Sequence, residues 1–199
     1  MIVRSEEEIH QIVHKVLDQY SGLLNVNLTA TENPQKSEAI PLGINTSTQK
    51  KAVAIGADHG GFELKEILKP DIAALGYDII DVGTNSKESV DYPDFAHEVA
   101  KLVSTGKAWR GIVIDGAGIG SCIVANKVPG IRAGMAYDYS SAVNSREHND
   151  TNILTLGAGL IGINLARQIV KVWLTTNFGG ERHQRRVDKI MAVEKQYSK

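Results

Sequence analysis

The chain has 199 residues, 23% of them charged, with a net charge of −1; this suits one domain plus an appendage or two small domains, and argues against a nucleic-acid or membrane partner. A single cysteine, Cys122, excludes an internal disulfide framework and fits a reducing compartment. No apolar run reaches the roughly 18–20 residues of a membrane span and no secretory signal opens the chain, so a soluble cytoplasmic protein is expected.

Residues 1–20 read as one amphipathic helix. Ser5 and Glu8 form a capping box, and Ile9, Ile12, Val13, Val16, Leu17 and Tyr20 follow at helical spacing. Residues 21–50, rich in Asn, Thr, Ser, Pro and Gln without periodicity, read as a linker. Such a stripe needs a partner surface, either the chain's own core, an oligomeric neighbour or another assembly. Short helices of this kind resemble the encapsulation peptides of bacterial microcompartment enzymes. That resemblance implies docking to a shell and a location inside a microcompartment.

From Lys51 the pattern is regular, and 51–199 reads as one domain. Apolar runs predict strands at 52–56, 78–82, 111–114, 131–136 and 152–156. Helical patterns alternate with them at 62–75, 93–104, 120–127, 140–148 and 160–175, and a last helix covers 183–197. Alternation of this kind predicts an α/β fold, a five-stranded parallel sheet with helices on both faces. Ligands in such sheets lie at the carboxyl ends of the strands. The loops after Gly56, Val82, Ile114, Ala136 and Leu156 are therefore the candidates.

Four stretches carry chemistry. Asp58-His59-Gly60-Gly61 sets an acid beside a base before a helix, though Asp58 also suits a helix cap. Asp115-Gly116-Ala117-Gly118-Ile119-Gly120 follows the third strand, where glycines let a ligand approach the backbone and a helix start attracts anions. Gly116 and Gly118 match two glycines of a dinucleotide fingerprint, with Ser121 in the third place and Asp138 as the ribose acid, and a mononucleotide or sugar-phosphate loop fits equally. His148 and Asn149 precede the fifth strand, where they suit either a site or a helix C-terminus. Arg182, His183 and Arg186 share a helical face, and guanidinium forks suit phosphate. Cys122 reads as a small apolar helix residue. No His, Cys or carboxylate set has metal-ligand spacing, and no G-x-S-x-G elbow is present.

Together these stretches resemble the ribose-5-phosphate isomerase B and galactose-6-phosphate isomerase family. The matching segments are Gly56–Phe62, Asp91-Tyr92-Pro93-Asp94, Gly116–Gly120 with Ala125-Asn126-Lys127, Arg146–Asp150, and Gly180–Gln184 through Val187. The resemblance implies a Rossmann-like three-layer sandwich, a homodimer or dimer of dimers, and cofactor-free aldose–ketose isomerisation of sugar phosphates, with ribose 5-phosphate the default. By position, Asp58 and His148 would open the sugar ring. His59, Arg182, His183 and Arg186 would hold the phosphate or position substrate, some across a subunit boundary. Gly116, Ala117, Gly118 and Gly120 would hold sugar oxygens and the enediolate, and Asn149 would orient a hydroxyl.

The sequence departs from the family pattern in the glycine loop and after the fifth strand. Asp115 stands where many members carry a cysteine base, and Ser121 where another branch carries a glutamate. Ala117 replaces a hydroxyl residue, and Gly159 replaces an arginine. The expectation is that Asp115 transfers the proton, the alternative being that it only caps the helix or tightens the loop. The rival readings are a non-catalytic or partner-dependent sugar-phosphate-binding subunit, an isomerase of another tetrose or hexose phosphate, and a nicotinamide-binding protein.

Overall fold

Alternating apolar residues in three of the strands divide the core between the two faces of one sheet. In the computed structural model, which describes residues 50–198, the strands are β1 Ala52–Ala57, β2 Asp78–Asp81, β3 Arg110–Asp115, β4 Ala133–Met135 and β5 Ile153–Gly157, all parallel in the order β2-β1-β3-β5-β4. The expected helix at 1–20 and its linker, apart from Lys50, lie outside the described residues. Val53, Ile55, Ala57, Ile112, Ile114, Leu154 and Leu156 face one side, while Ala54, Val113 and Ile153 face the other.

The first face is covered by α1 (Phe62–Ala74), α4 (Tyr139–Glu147) and α5 (Ile163–Thr175), through Leu64, Leu68, Ile72, Ala142, Ile169 and the fully buried Trp173. The second is covered by α2 (Tyr92–Ser104) and α3 (Ile119–Ala125), through Ala96, Val99, Ala100, Val103 and Ala125. The last helix, α6 (Glu181–Tyr197), buries only Val187 and leaves Ile190, Val193 and Tyr197 exposed.

Several boundaries differ from the sequence expectation, and three of them have a visible cause. β4 is half the expected length, because the Arg132 N–H bonds to the side chain of Asn152 and the strand is an edge with β5 as its neighbour. α5 starts at Ile163 rather than 160, since the Leu160 and Ile161 N–H groups fold back onto the Gly157 carbonyl. α3 stops at Ala125, where Asn126 turns its carboxamide onto the carbonyls of Cys122 and Ala133.

A buried guanidinium fixes the approach to α6. Arg110 donates to the carbonyls of Trp173 (2.8 Å), Leu174 (2.9 Å) and Thr176 (3.4 Å). Burial, with Arg146 nearby, pulls its pKa down to about 10, so it stays charged at neutral pH. Arg146 shares the Thr176 carbonyl at 3.4 Å, and the Gly179 N–H donates to the Glu147 carbonyl at 2.9 Å. The end of α4 and the start of α6 are thereby tied together.

Candidate active site

The carboxyl edge of the sheet holds two of the expected loops. After β1, the Gly61 N–H donates to Asp58 Oδ1 at 3.0 Å, which closes the turn into α1. Gly61 is required there, since a Cβ would collide with the Ile114 carbonyl. Asp58 is 7% exposed, and its Oδ2 accepts no hydrogen bond among the described residues and is not sealed from solvent. His59 sets Nδ1 3.2 Å from both the N–H and the carbonyl of Val90. A Cβ on Gly60 would meet Asp58 Oδ1 at 3.3 Å and the Gly116 nitrogen at 3.4 Å, so the two loops flank one glycine face.

Asp115, the last residue of β3, has its carboxylate fully engaged. Oδ1 accepts the N–H groups of Ala117 (2.8 Å) and Gly118, and Oδ2 accepts the Ser121 N–H (3.2 Å) and the Ser121 hydroxyl. A carboxylate has about four acceptor positions, and here all are used. Asp115 is 5% exposed and Ser121 is fully buried. The expectation that Asp115 is a free base thus meets a side chain turned inward to hold its own loop. Gly118, at φ +78°, makes the turn possible, and a Cβ there would press on the Leu156 carbonyl carbon at 2.9 Å.

This has a second consequence. The Ala117 and Gly118 N–H groups, expected to face substrate, are taken by Asp115. Among the described residues no hydrogen bond engages the Gly116, Ile119 or Gly120 N–H groups. Gly159, after β5, hugs the same loop, its N–H 3.0 Å from the Gly116 carbonyl. Tyr92, at the start of α2, lies over Gly120 so closely that a Cβ would strike its ring. Tyr92 was in the motif but not among the expected site residues; only the fold shows this contact.

His148, Asn149, Arg182, His183 and Arg186 gather elsewhere. His148 caps the C-terminus of α4, and its ring stacks on His183 with centroids 4.2 Å apart and planes 8° from parallel. Asn144, one turn earlier, sets its carboxamide nitrogen 2.8 Å from His148 Nδ1. Arg182 Nε lies 3.3 Å from His183 Nε2. Burial, then His148, Arg182 and Arg186, hold the His183 pKa below the usual imidazole value. Arg146 is buried and donates to Asp150 Oδ1 (2.7 Å) and the Thr151 carbonyl (2.5 Å), which clamps the turn bearing His148 and Asn149. Asn149 lines a cavity of about 300 Å³ with Asn126, Arg132 and Ile190. The contacts of Asn144 with His148 and of Arg146 with Asp150 follow i,i+4 spacing, a signal present in the sequence.

The expected residues therefore form two groups within one chain. His148 and Asn149 come just before β5, at the amino edge, whereas Asp58 and Asp115 end strands at the carboxyl edge. The run from Ile153 to Gly157 separates the edges by roughly 13 Å. The nicotinamide reading fares poorly as well. Asp138 uses its carboxylate to cap α4, accepting the Ser141 N–H at 2.7 Å, which lowers its pKa, and β5 separates its strand from β3. Among the described residues there is no cluster able to hold a metal ion and no helix long and apolar enough to cross a membrane.

A family model described as Ribose/Galactose Isomerase matches residues 53–190. The chain belongs to this family. It is 45% identical over 144 residues to ribose-5-phosphate isomerase B of Escherichia coli (strain K12), covering 72% of this chain and 97% of that one. It is 39% identical over 146 residues to D-erythrulose-4-phosphate isomerase of Pectobacterium atrosepticum, covering 73% and 96%. The solved ribose-5-phosphate isomerase B of Clostridium thermocellum matches at TM-score 0.73 and 51% identity, over 74% of this chain and 99% of that one. The α/β sandwich expected from strand–helix alternation is the fold of these family members.

Proposed function

We propose that residues 51–199 form a sugar-phosphate aldose–ketose isomerase whose active site is built by two copies of the chain. Ribose 5-phosphate and ribulose 5-phosphate are the default pair, and a tetrose phosphate is the next candidate, given the erythrulose phosphate isomerase among the relatives. The observation that carries this reading is the separation of the two groups in a chain of the isomerase family. Among the described residues, the loops after β1 and β3 bring carboxylates, His59 and free amide donors, whereas the other group brings His148, His183, Arg182 and Arg186. A sugar phosphate needs both kinds of group at once.

In this scheme the carboxyl edge of one copy takes the sugar. Asp58 faces the ring, His59 lines the entrance, and the Gly116 and Gly120 N–H groups meet sugar oxygens. The amino edge of the second copy brings His148 to the ring oxygen and Asn149 to a hydroxyl. Arg182, His183 and Arg186 of that copy hold the phosphate, where guanidinium forks match its oxygens. Asp115 holds Ala117, Gly118 and Ser121 in place and does not move the proton. The exposed Ile190, Val193 and Tyr197 on α6 give the helix an apolar face to lay on the neighbour. No step in the scheme calls for a cofactor.

Turnover of the purified chain on a panel of tetrose, pentose and hexose phosphates tests this reading, and ketose formation from ribose 5-phosphate is expected. Loss of the arginine at Gly159 motivates a second reading, a subunit that binds sugar phosphate and needs a different chain for activity. Binding without turnover by the pure chain would favour it. For residues 1–20 we propose a shell-docking peptide joined by the linker 21–50. A chain lacking residues 1–48 should keep its oligomer and activity and lose co-localisation with a shell; dissociation would make the segment structural instead.

A further inference from the structure

With Asp115 committed to its own loop, the reaction still needs a base at the carboxyl edge. We infer that Asp58 carries the proton between C1 and C2 of the sugar, an inference that rests on the isomerase reading above. Cys122 does not fit the task. Its thiol lies 3.5 Å from the Ala133 carbonyl under α3, and burial pushes its pKa up. Ser121 is fully buried and donates to Asp115. His59 has its Nδ1 against the backbone of Val90.

Asp58 has what the others lack. One oxygen is anchored by the Gly61 N–H, which fixes the carboxylate, and the other accepts nothing among the described residues. Across the bare face of Gly60 lies the Gly116 nitrogen, whose N–H also has no acceptor among those residues. A carboxylate base beside an unused amide donor is the pair that enolisation requires. Starting from the ketose, the carboxylate takes a proton from C1. The C–H electron pair becomes the C1–C2 double bond, and the carbonyl pair moves to O2, which the Gly116 N–H meets. Reprotonation at C2, with transfer of the O1 proton to O2, gives the aldose and restores the carboxylate, so no electron or proton is gained or lost.

The family role of the same residue is ring opening, and the test separates the two. D-Ribulose 5-phosphate cannot close a furanose ring, because its 5-hydroxyl is esterified. Solvent deuterium entering C1 of this ketose therefore reports enolisation alone. Asp58→Asn keeps an amide oxygen for the Gly61 N–H, and its melting temperature checks the fold. It is expected to lose deuterium wash-in and isomerisation together, by about 100-fold or more. Cys122→Ser, a residue outside this machinery, is expected to retain wash-in. Wash-in near the wild-type rate in Asp58→Asn, with loss confined to ribose 5-phosphate turnover, overturns the inference. So does loss of wash-in in a folded Asp115→Asn while Asp58→Asn retains it. Failure of the wild-type protein to exchange deuterium into ribulose 5-phosphate or erythrulose 4-phosphate overturns instead the isomerase reading, and this inference with it.

Discussion

The imidazole of His148 lies flat on that of His183, 4.2 Å between centroids, with Arg182 and Arg186 close by. His183 is held below the ordinary imidazole range by burial first and by His148, Arg182 and Arg186 next. The unfolded chain therefore binds its proton at higher pH than the folded one, so this histidine subtracts stability as the pH falls through the unfolded value of about 6.5. An NMR pH titration should find His183 titrating low, and Arg186→Ala should move it upward. A His183 that titrates at or above the ordinary value would refute the repulsion argument.

The Asp115 carboxylate predicts a graded stability series. Asp115→Asn puts an amide N–H₂ against backbone N–H donors and should cost about 2–4 kcal/mol, given buried donors left without acceptors. Ser121→Ala removes one hydroxyl and should cost about 1 kcal/mol. Thermal melts would show the larger loss for Asp115→Asn; equal losses would mean the loop is not held by this carboxylate.

Arg146 joins the Asp150 carboxylate to the Thr151 carbonyl and so clamps the turn that presents His148 and Asn149. Arg146→Lys keeps the charge but loses the fork. It should lower kcat more than it raises KM, about tenfold in kcat, because Arg182, His183 and Arg186 are not among the hydrogen-bond partners of Arg146. Steady-state kinetics on ribose 5-phosphate check the split, and a change confined to KM would contradict it.

Cys122 is expected to be a poor nucleophile. Burial raises its thiol pKa, so alkylation at neutral pH should be slower than for a free cysteine and should quicken only in alkali. Cys122→Ser should retain activity. Rapid alkylation with loss of turnover would return the thiol to consideration.

Much of the fold was legible because each strand is a short apolar run and each helix begins near glycine, proline or a capping side chain. Asp138 with Ser141, for example, forms the capping box that starts α4. The hold of Asp115 on its own loop was not legible because direction is missing: the sequence sets a carboxylate before glycines, and only the left-handed turn at Gly118 shows the following N–H groups swung back onto it. The division of the site was partly legible. His148 precedes a strand and Asp58 follows one, and in a parallel sheet those positions lie on opposite edges; order along the chain concealed it. The contact of Tyr92 with Gly120 joins elements far apart in sequence and left no local trace.

The central claim is that each active site draws Asp58 from one chain and His148 from another. Mixing two inactive variants, Asp58→Asn and His148→Ala, after unfolding and refolding them together measures it directly. In a mixed dimer one site combines the intact Asp58 of one chain with the intact His148 of the other. The mixture should regain roughly a quarter of wild-type activity, since about half the dimers are mixed and half their sites are whole. A mixture that stays as inactive as its separate variants would contradict the account.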